Sequence, residues 1–290
     1  MIERAYIHVA GPVGAGKTTF VEAVLRRVDR CWLAARCARN DALRQSRESS
    51  AKAHPELRRY REAGATGVAL FEFPRDDIGP DEFFMTHLME DYSQGVVLEG
   101  DNPLGFVDLH VYIAPALPAG ESLFVRRQRD RAKEERGKAD AMGRLLRKPG
   151  GPAELLEQMV GAPIGDFVRR HKPLLEHTRA DLLAAIAQAR KAPPPKPTEH
   201  WAVAEGYEGI EHAQLVVVNI RNEPERREGE QLVGDLGRLR KEPALFDDIL
   251  GARGTKIPIT AVVANLSDPK DAGLKKALAR VGQAMRRGEP

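Results

Sequence analysis

Cysteine is scarce: the 290-residue chain has two, Cys31 and Cys37. If the stretch between them is a strand, six residues of rise part them by about 20 Å, too far for a disulfide. Neither their spacing nor their neighbours make a zinc site, so a reduced pair in a cytoplasmic protein is expected. Long apolar runs are missing as well. None approaches the length of a membrane span, and no basic segment followed by an apolar one opens the chain. No membrane partner is expected. Nor is charge of one sign in large excess: a net charge of +3 does not by itself imply a polyanion partner. No internal repeat is visible. What remains is the composition of a globular protein with a charge-rich surface. It is long enough to bury a sizeable core as one α/β domain or one domain plus an insertion.

One stretch stands out. Gly11-Pro12-Val13-Gly14-Ala15-Gly16-Lys17-Thr18 fits G-x-x-x-x-G-K-[ST] at every fixed position. Before it, Ala5-Tyr6-Ile7-His8-Val9-Ala10 reads as a buried strand. After it, from Thr19 on, Phe20, Val21, Val24, Leu25 and Val28 fall on one face of a helix. Strand, glycine loop and helix are what a phosphate-binding loop requires: inward N–H groups and the partial positive charge of a helix N-terminus. Lys17 is placed to reach β- and γ-phosphates, and the Thr18 hydroxyl to ligate Mg²⁺.

Further along, residues 31–36 read as a second strand that leads to Asp41. A carboxylate past that strand end suits Mg²⁺ or an attacking water. It equally suits an N-cap for a segment at 42–50. A helix ending at Ala63-Gly64 and a third strand at 67–73 follow, then a helix at 81–92. The next informative run is Gly95-Val96-Val97-Leu98-Glu99-Gly100-Asp101, an apolar strand closed by an acid. Glu99, with Asp101 as second choice, is the candidate hard-oxygen ligand for Mg²⁺. His110, on a strand at 107–114, and His8 read as packed or hydrogen-bonded residues.

From about 120 to 192 the pattern reads as all-helical, and its first part, 121–150, carries ten basic against five acidic residues. No aromatics interleave with the basic residues, so a solvated helix face is expected and a nucleic-acid partner is not. Ala192-Pro193-Pro194-Pro195-Lys196-Pro197 reads as a stiff linker. The α/β pattern resumes with a strand at 213–220, a helix within 232–250, a strand at 257–265 and a closing helix at 272–286.

These pieces resemble the metallocofactor-assembly branch of the P-loop GTPases, the urease and hydrogenase accessory GTPases, and more distantly the adaptor of molybdopterin guanine dinucleotide synthesis. The loop at 11–18 with Val21-Glu22-Ala23 is similar to the urease type, and Asn40-Asp41 to that branch's switch acid. Arg61-Glu62-Ala63-Gly64-Ala65-Thr66-Gly67-Val68 is similar to a stretch of the molybdopterin adaptor. Glu99-Gly100-Asp101 looks like the acidic end of a Walker B strand. The branch reads guanine with Asn-Lys-x-Asp, where this chain has Asn219-Ile220-Arg221-Asn222. Asn265-Leu266-Ser267-Asp268 keeps both outer residues one strand later. The Cys-Pro-His metal motif of the nickel GTPases is absent.

The expected fold is a doubly wound, mostly parallel α/β P-loop NTPase. Its core spans 1–119 and 206–290, and a helical insertion with its Pro-rich linker spans 120–205. Expected cofactors are Mg²⁺ with GTP or ATP. Gly11, Pro12, Val13, Gly14, Ala15, Gly16, Lys17, Thr18, Thr19, Asn219 and Asn222 would hold the nucleotide; Thr18, Glu99 and Asp41 the metal; Lys17 and Asp41 would be catalytic. The resemblance implies a slow NTPase serving metallocofactor assembly or delivery, a protein partner at the insertion and a homodimer around nucleotide. A P-loop small-molecule kinase and a non-catalytic nucleotide-binding adaptor are the alternatives.

Overall fold

A computed structural model of the chain describes residues 5–28, 32–39, 44–47, 54–73, 95–100, 107–129, 198–250 and 259–286, and the single positions 133, 137, 184, 187 and 188. The chain divides into two compact units, residues 1–125 with 201–290, and residues 126–200.

Among the described residues ten strands run in chain order: β1 Ala5–Ala10, β2 Trp32–Arg39, β3 Arg44–Arg47, β4 Gly67–Phe73, β5 Gly95–Glu99, β6 Leu109–Pro115, β7 Phe124–Arg129, β8 Thr198–Val203, β9 Leu215–Asn219 and β10 Thr260–Ala264. Eight of them form one sheet in the order β10-β9-β6-β1-β5-β2-β4-β3. All its neighbours pair in parallel except β3, which closes one edge antiparallel to β4 with Arg44 opposite Glu72. The central strands are apolar almost throughout, as strands covered on both faces must be. Val96, Val97 and Leu98 on β5 and Val216, Val217 and Val218 on β9 are all buried.

Helices cover both faces, the doubly wound arrangement of an α/β fold. On one face α1 (Lys17–Arg27) buries Phe20, Val21, Val24 and Leu25, and α2 (Pro55–Glu62) buries Leu57 and Tyr60. Pro at its first turn starts α2, and Gly64 at φ +107° ends it. On the other face α3 (Arg226–Lys241) buries Leu232, Leu236 and Leu239. A short turn of helix, α4 (Asp247–Leu250), follows, and α5 (Ala272–Arg286) joins the first face through Leu274, Ala277, Val281 and Met285. Asp271 starts α5 by accepting the Leu274 N–H at 2.8 Å.

Three local expectations change. The polar segment after β2 contributes the strand β3 rather than a capped segment, because the free backbone groups along β4 supply pairing that no local pattern announces. The stretch 124–129 is not helical: it pairs with 198–203 as a two-stranded sheet, its partner lying some seventy residues away in the chain. The helix expected within 232–250 begins at Arg226 and stops at Lys241, where Pro243 enters a 3₁₀ turn. The expected helix at 81–92 and the linker at 192–197 lie outside the described residues, as does the insertion apart from its two ends and the single positions. Among the described residues no helix is long and apolar enough to cross a membrane.

Phe246 anchors the second face. Its ring is fully buried, 4.6 Å from that of Phe124 and 5.5 Å from that of Trp201, with the Arg238 guanidinium 6.0 Å from its centroid. Truncation to Ala leaves a cavity that these side chains cannot close. Phe246→Ala is expected to lower the unfolding free energy by about 3–5 kcal/mol, read from urea denaturation.

Candidate functional site

The loop between β1 and α1 is built by three glycines, each under a different constraint. Gly11 sits at φ +139°, and a Cβ there would come within 2.1 Å of the Ile113 carbonyl oxygen on β6. Gly14 adopts φ +78° in open space. Gly16 adopts φ +102°, and a Cβ would lie 2.7 Å from the Asn219 amide nitrogen. L-residues avoid such φ values, so glycine is what lets the backbone take this path. The Ala15 N–H donates to the Pro12 carbonyl at 3.2 Å and closes the turn. Among the described residues no side chain caps α1, which leaves its first N–H groups for an external acceptor. The Lys17 ammonium lies back over the loop, donating to the carbonyls of Gly11 at 2.5 Å and Pro12 at 3.1 Å. Val13 at the crest is exposed.

Thr18 and Glu99 meet because β5 pairs directly with β1, placing Glu99 beside Val9. The Thr18 hydroxyl donates to Glu99 Oε1 at 3.1 Å. Glu99 is only 2% exposed, so its charge needs donors close by. Arg36, opposite it on β2, donates to the same oxygen at 3.0 Å, and the buried Tyr60 hydroxyl on α2 donates to Oε2. Arg36 also lies 3.6 Å from Glu56 on α2. Burial first, then the Glu99 charge and hydrogen bond, push the Tyr60 hydroxyl above its ordinary value, so it stays a donor. A hydroxyl and a carboxylate edge to edge at the helix start are hard oxygen donors of the kind Mg²⁺ takes, with room for phosphate and water in the remaining positions. The donor set fits that ion. Asp41 and Asp101 lie outside the described residues.

Asn219 ends β9 against the loop. Its amide nitrogen donates to the Ala15 carbonyl at 2.9 Å, and its oxygen accepts the Leu266 N–H at 3.3 Å. It therefore ties the loop to the segment after β10. Asn222 caps the following 3₁₀ turn by accepting the Glu225 N–H at 3.1 Å. Asp268 accepts the Lys270 N–H at 2.8 Å and Asn265 the Ser267 N–H at 3.0 Å. Lys17, Thr18, Glu99 and Asn219 are thus gathered at the loop, while Asn222 and Asp268 stand in the turns beyond β9 and β10. Arg36, Glu56 and Tyr60 escaped the sequence reading. An arginine between Ala35 and Cys37 in a largely apolar strand was the signal available for the first.

On the opposite face from α1 a cavity of about 410 Å³ runs behind Gly11, Pro12 and Val13, lined also by His8, His110 and His212. The rings of His8 and His110 lie edge to face, 5.5 Å apart. Burial first, then His110, lowers the His8 pKa to about 3, and its Nε2 has no hydrogen-bond partner among the described residues. Among the described residues no group of three or more His, Cys, Asp or Glu is arranged to hold a metal ion.

No family model matches the chain, and no curated protein matches it. Among solved structures it is similar to HypB from Helicobacter pylori in complex with nickel. The identity is 9% and the TM-score 0.42, over 98% of this chain and 88% of that one. The reading of the site rests on this chain's own geometry.

His8 gives the fold a pH dependence with a definite sign. Above its ordinary pKa of 6.5 neither folded nor unfolded chain protonates it. Below 6.5 the unfolded chain takes up a proton that the folded one refuses, until the folded value near 3 is reached. Stability is therefore expected to fall through that window about 1.4 kcal/mol per pH unit more steeply than in His8→Gln, measured by urea denaturation at stepped pH.

Proposed function

We propose that this chain binds a nucleoside triphosphate with Mg²⁺ at residues 11–18 and hydrolyses it slowly, as a switch serving assembly or delivery of a metallocofactor. The observation that carries the reading is the joint geometry of the loop. Three glycines open it, Lys17 folds over it, and Thr18 is bonded to the buried carboxylate of Glu99. In this reading the loop N–H groups and the start of α1 cradle the phosphates, and Lys17 moves from the Gly11 and Pro12 carbonyls onto the β- and γ-phosphates. Gly11, Pro12, Val13, Gly14, Ala15, Gly16 and Thr19 supply the backbone of the cradle. Thr18 and Glu99 hold the metal side, and Asp41 orients the attacking water. Mg²⁺, when bound, spreads the negative charge of the transferring group. Asn219 holds the loop in shape from behind. The resemblances around Asp41, at 61–68 and at 99–101 support the metallocofactor role, with a partner protein docking on 120–205.

The base-reading side leaves GTP and ATP both in play. The Asn219 amide is committed on both its atoms to Ala15 and Leu266. Reading guanine would fall to Asn222 or Asp268, and a carboxylate accepts two guanine N–H bonds where an amide offers one acceptor. Competition binding of GTP and ATP in the presence of Mg²⁺, followed by calorimetry, tests the reading. Wild type is expected to bind at least one of them, and Lys17→Ala to weaken that affinity about 10- to 100-fold, the worth of a charged hydrogen-bond donor. A wild-type chain that binds neither sinks the reading.

One observation favours a second reading, a small-molecule kinase. The cavity behind Gly11, Pro12 and Val13 is of a size that holds a small acceptor. Release of inorganic phosphate in the absence of any acceptor favours the switch; transfer to a metabolite without release favours the kinase.

A further inference from the structure

Glu99 receives donors on both oxygens, and they differ in kind. Oε1 is shared by the Thr18 hydroxyl at 3.1 Å and the Arg36 guanidinium at 3.0 Å. Oε2 takes the neutral Tyr60 hydroxyl. The metal-facing edge of the carboxylate thus already carries a positive charge. Yet the same guanidinium nitrogen stands 3.6 Å from a second carboxylate, Glu56, which is one-third exposed. Glu56 and Tyr60 are four residues apart on α2 and share one helix face. Arg36, itself one-third exposed, has an alternative seat within reach and is not locked in place by burial.

A guanidinium and a divalent cation on one carboxylate oxygen repel each other, and in a half-buried site that repulsion is weakly screened. We propose that Arg36, Glu56 and Tyr60 are positioning residues that set how Glu99 accepts a divalent cation. Arg36 serves as an internal counter-cation on Glu99 and passes to Glu56 when the metal side is filled. Tyr60, uncharged, keeps its bond to Oε2 in both states and holds Oε1 toward Thr18. Because Glu56 and Tyr60 both belong to α2, that helix registers whether Arg36 sits on Glu99 or on Glu56. The inference rests on the loop at 11–18 binding Mg²⁺ with nucleotide.

The arrangement gives variants of opposite sign, which a merely structural ion pair would not. The full chain is titrated with Mg²⁺, starting in EDTA, against a fluorescent N-methylanthraniloyl derivative of GTP or of ATP, and the Mg²⁺ midpoint is read at equilibrium. Arg36→Gln removes the competing cation and is expected to lower the midpoint about 3- to 10-fold. Glu56→Gln removes the alternative seat and is expected to raise the midpoint by a similar factor. Tyr60→Phe is expected to raise it too, because Oε1 is no longer held toward Thr18. The double variant Arg36→Gln with Glu56→Gln should match Arg36→Gln alone.

A midpoint raised or unmoved in Arg36→Gln, or lowered or unmoved in Glu56→Gln, overturns the proposal. Should Arg36→Gln fail to fold with Glu99 less well matched, Glu56→Gln, at a side chain one-third exposed, decides it alone. A wild-type chain that binds neither probe under any condition sinks the nucleotide reading itself. Wild-type binding that depends on Mg²⁺, with midpoints unmoved in the variants, sinks only the present inference.

Discussion

A carboxylate taken out of water must be met by donors, and at Glu99 those donors come from three separate elements. Leaving one such charge uncompensated costs several kcal/mol in a folded chain, about as much as a whole domain's margin of stability. Thr18 from the start of α1, Arg36 from β2 and Tyr60 from α2 all converge on the end of β5. Their convergence requires β5 to lie between β1 and β2, and the parallel pairing of both neighbours with β5 sets that order. The same donors that make the burial tolerable leave Oε1 of the carboxylate beside Thr18 at the start of α1.

The glycine loop is clamped from behind as well. Gly11 passes so close to the Ile113 carbonyl that a methyl group would not fit, and a Cβ at Gly16 would come within 2.7 Å of the Asn219 amide. β6 and β9, the neighbours on the far side of β1, therefore shape the loop as much as the loop's own residues do. Asn219 spends both its donor and its acceptor on this task, bonding Ala15 and Leu266. A half-buried amide bonded at both ends is a rigid joint, and it couples the glycine loop to the turn after β10.

The cavity on the opposite face is different in character. Its floor is made by His8 and His110, side by side on β1 and β6, and His8 stays neutral because burial makes protonation costly. Loop and carboxylate lie at the carboxyl ends of β1 and β5, where an open α/β sheet gathers its ligands, and the cavity reaches the same loop from His110, Val111 and Tyr112 in the first half of β6. That shared position keeps both the switch and the kinase readings tied to one small region.

Local pattern was enough for much of this. The G-x-x-x-x-G-K-T stretch, the apolar runs of β1, β5, β6, β9 and β10, and the periodic faces of α1 and α5 were legible in the sequence, because each depends on residues within a few positions of one another. The acid at Glu99 was legible for the same reason. Tertiary structure alone decided which strands are neighbours, and with that the partners of Glu99: Arg36 and Tyr60 lie 63 and 39 residues from it in the chain. It also decided that Arg44–Arg47 and Phe124–Arg129 are strands, since a polar strand is defined by the backbone beside it and not by its own side chains. That Asn219 bonds the loop and the turn after β10 was likewise decided by the fold, because an amide's partners are set by the groups that surround it. Sequence carries the local chemistry, and the sheet order determines which of those chemistries meet.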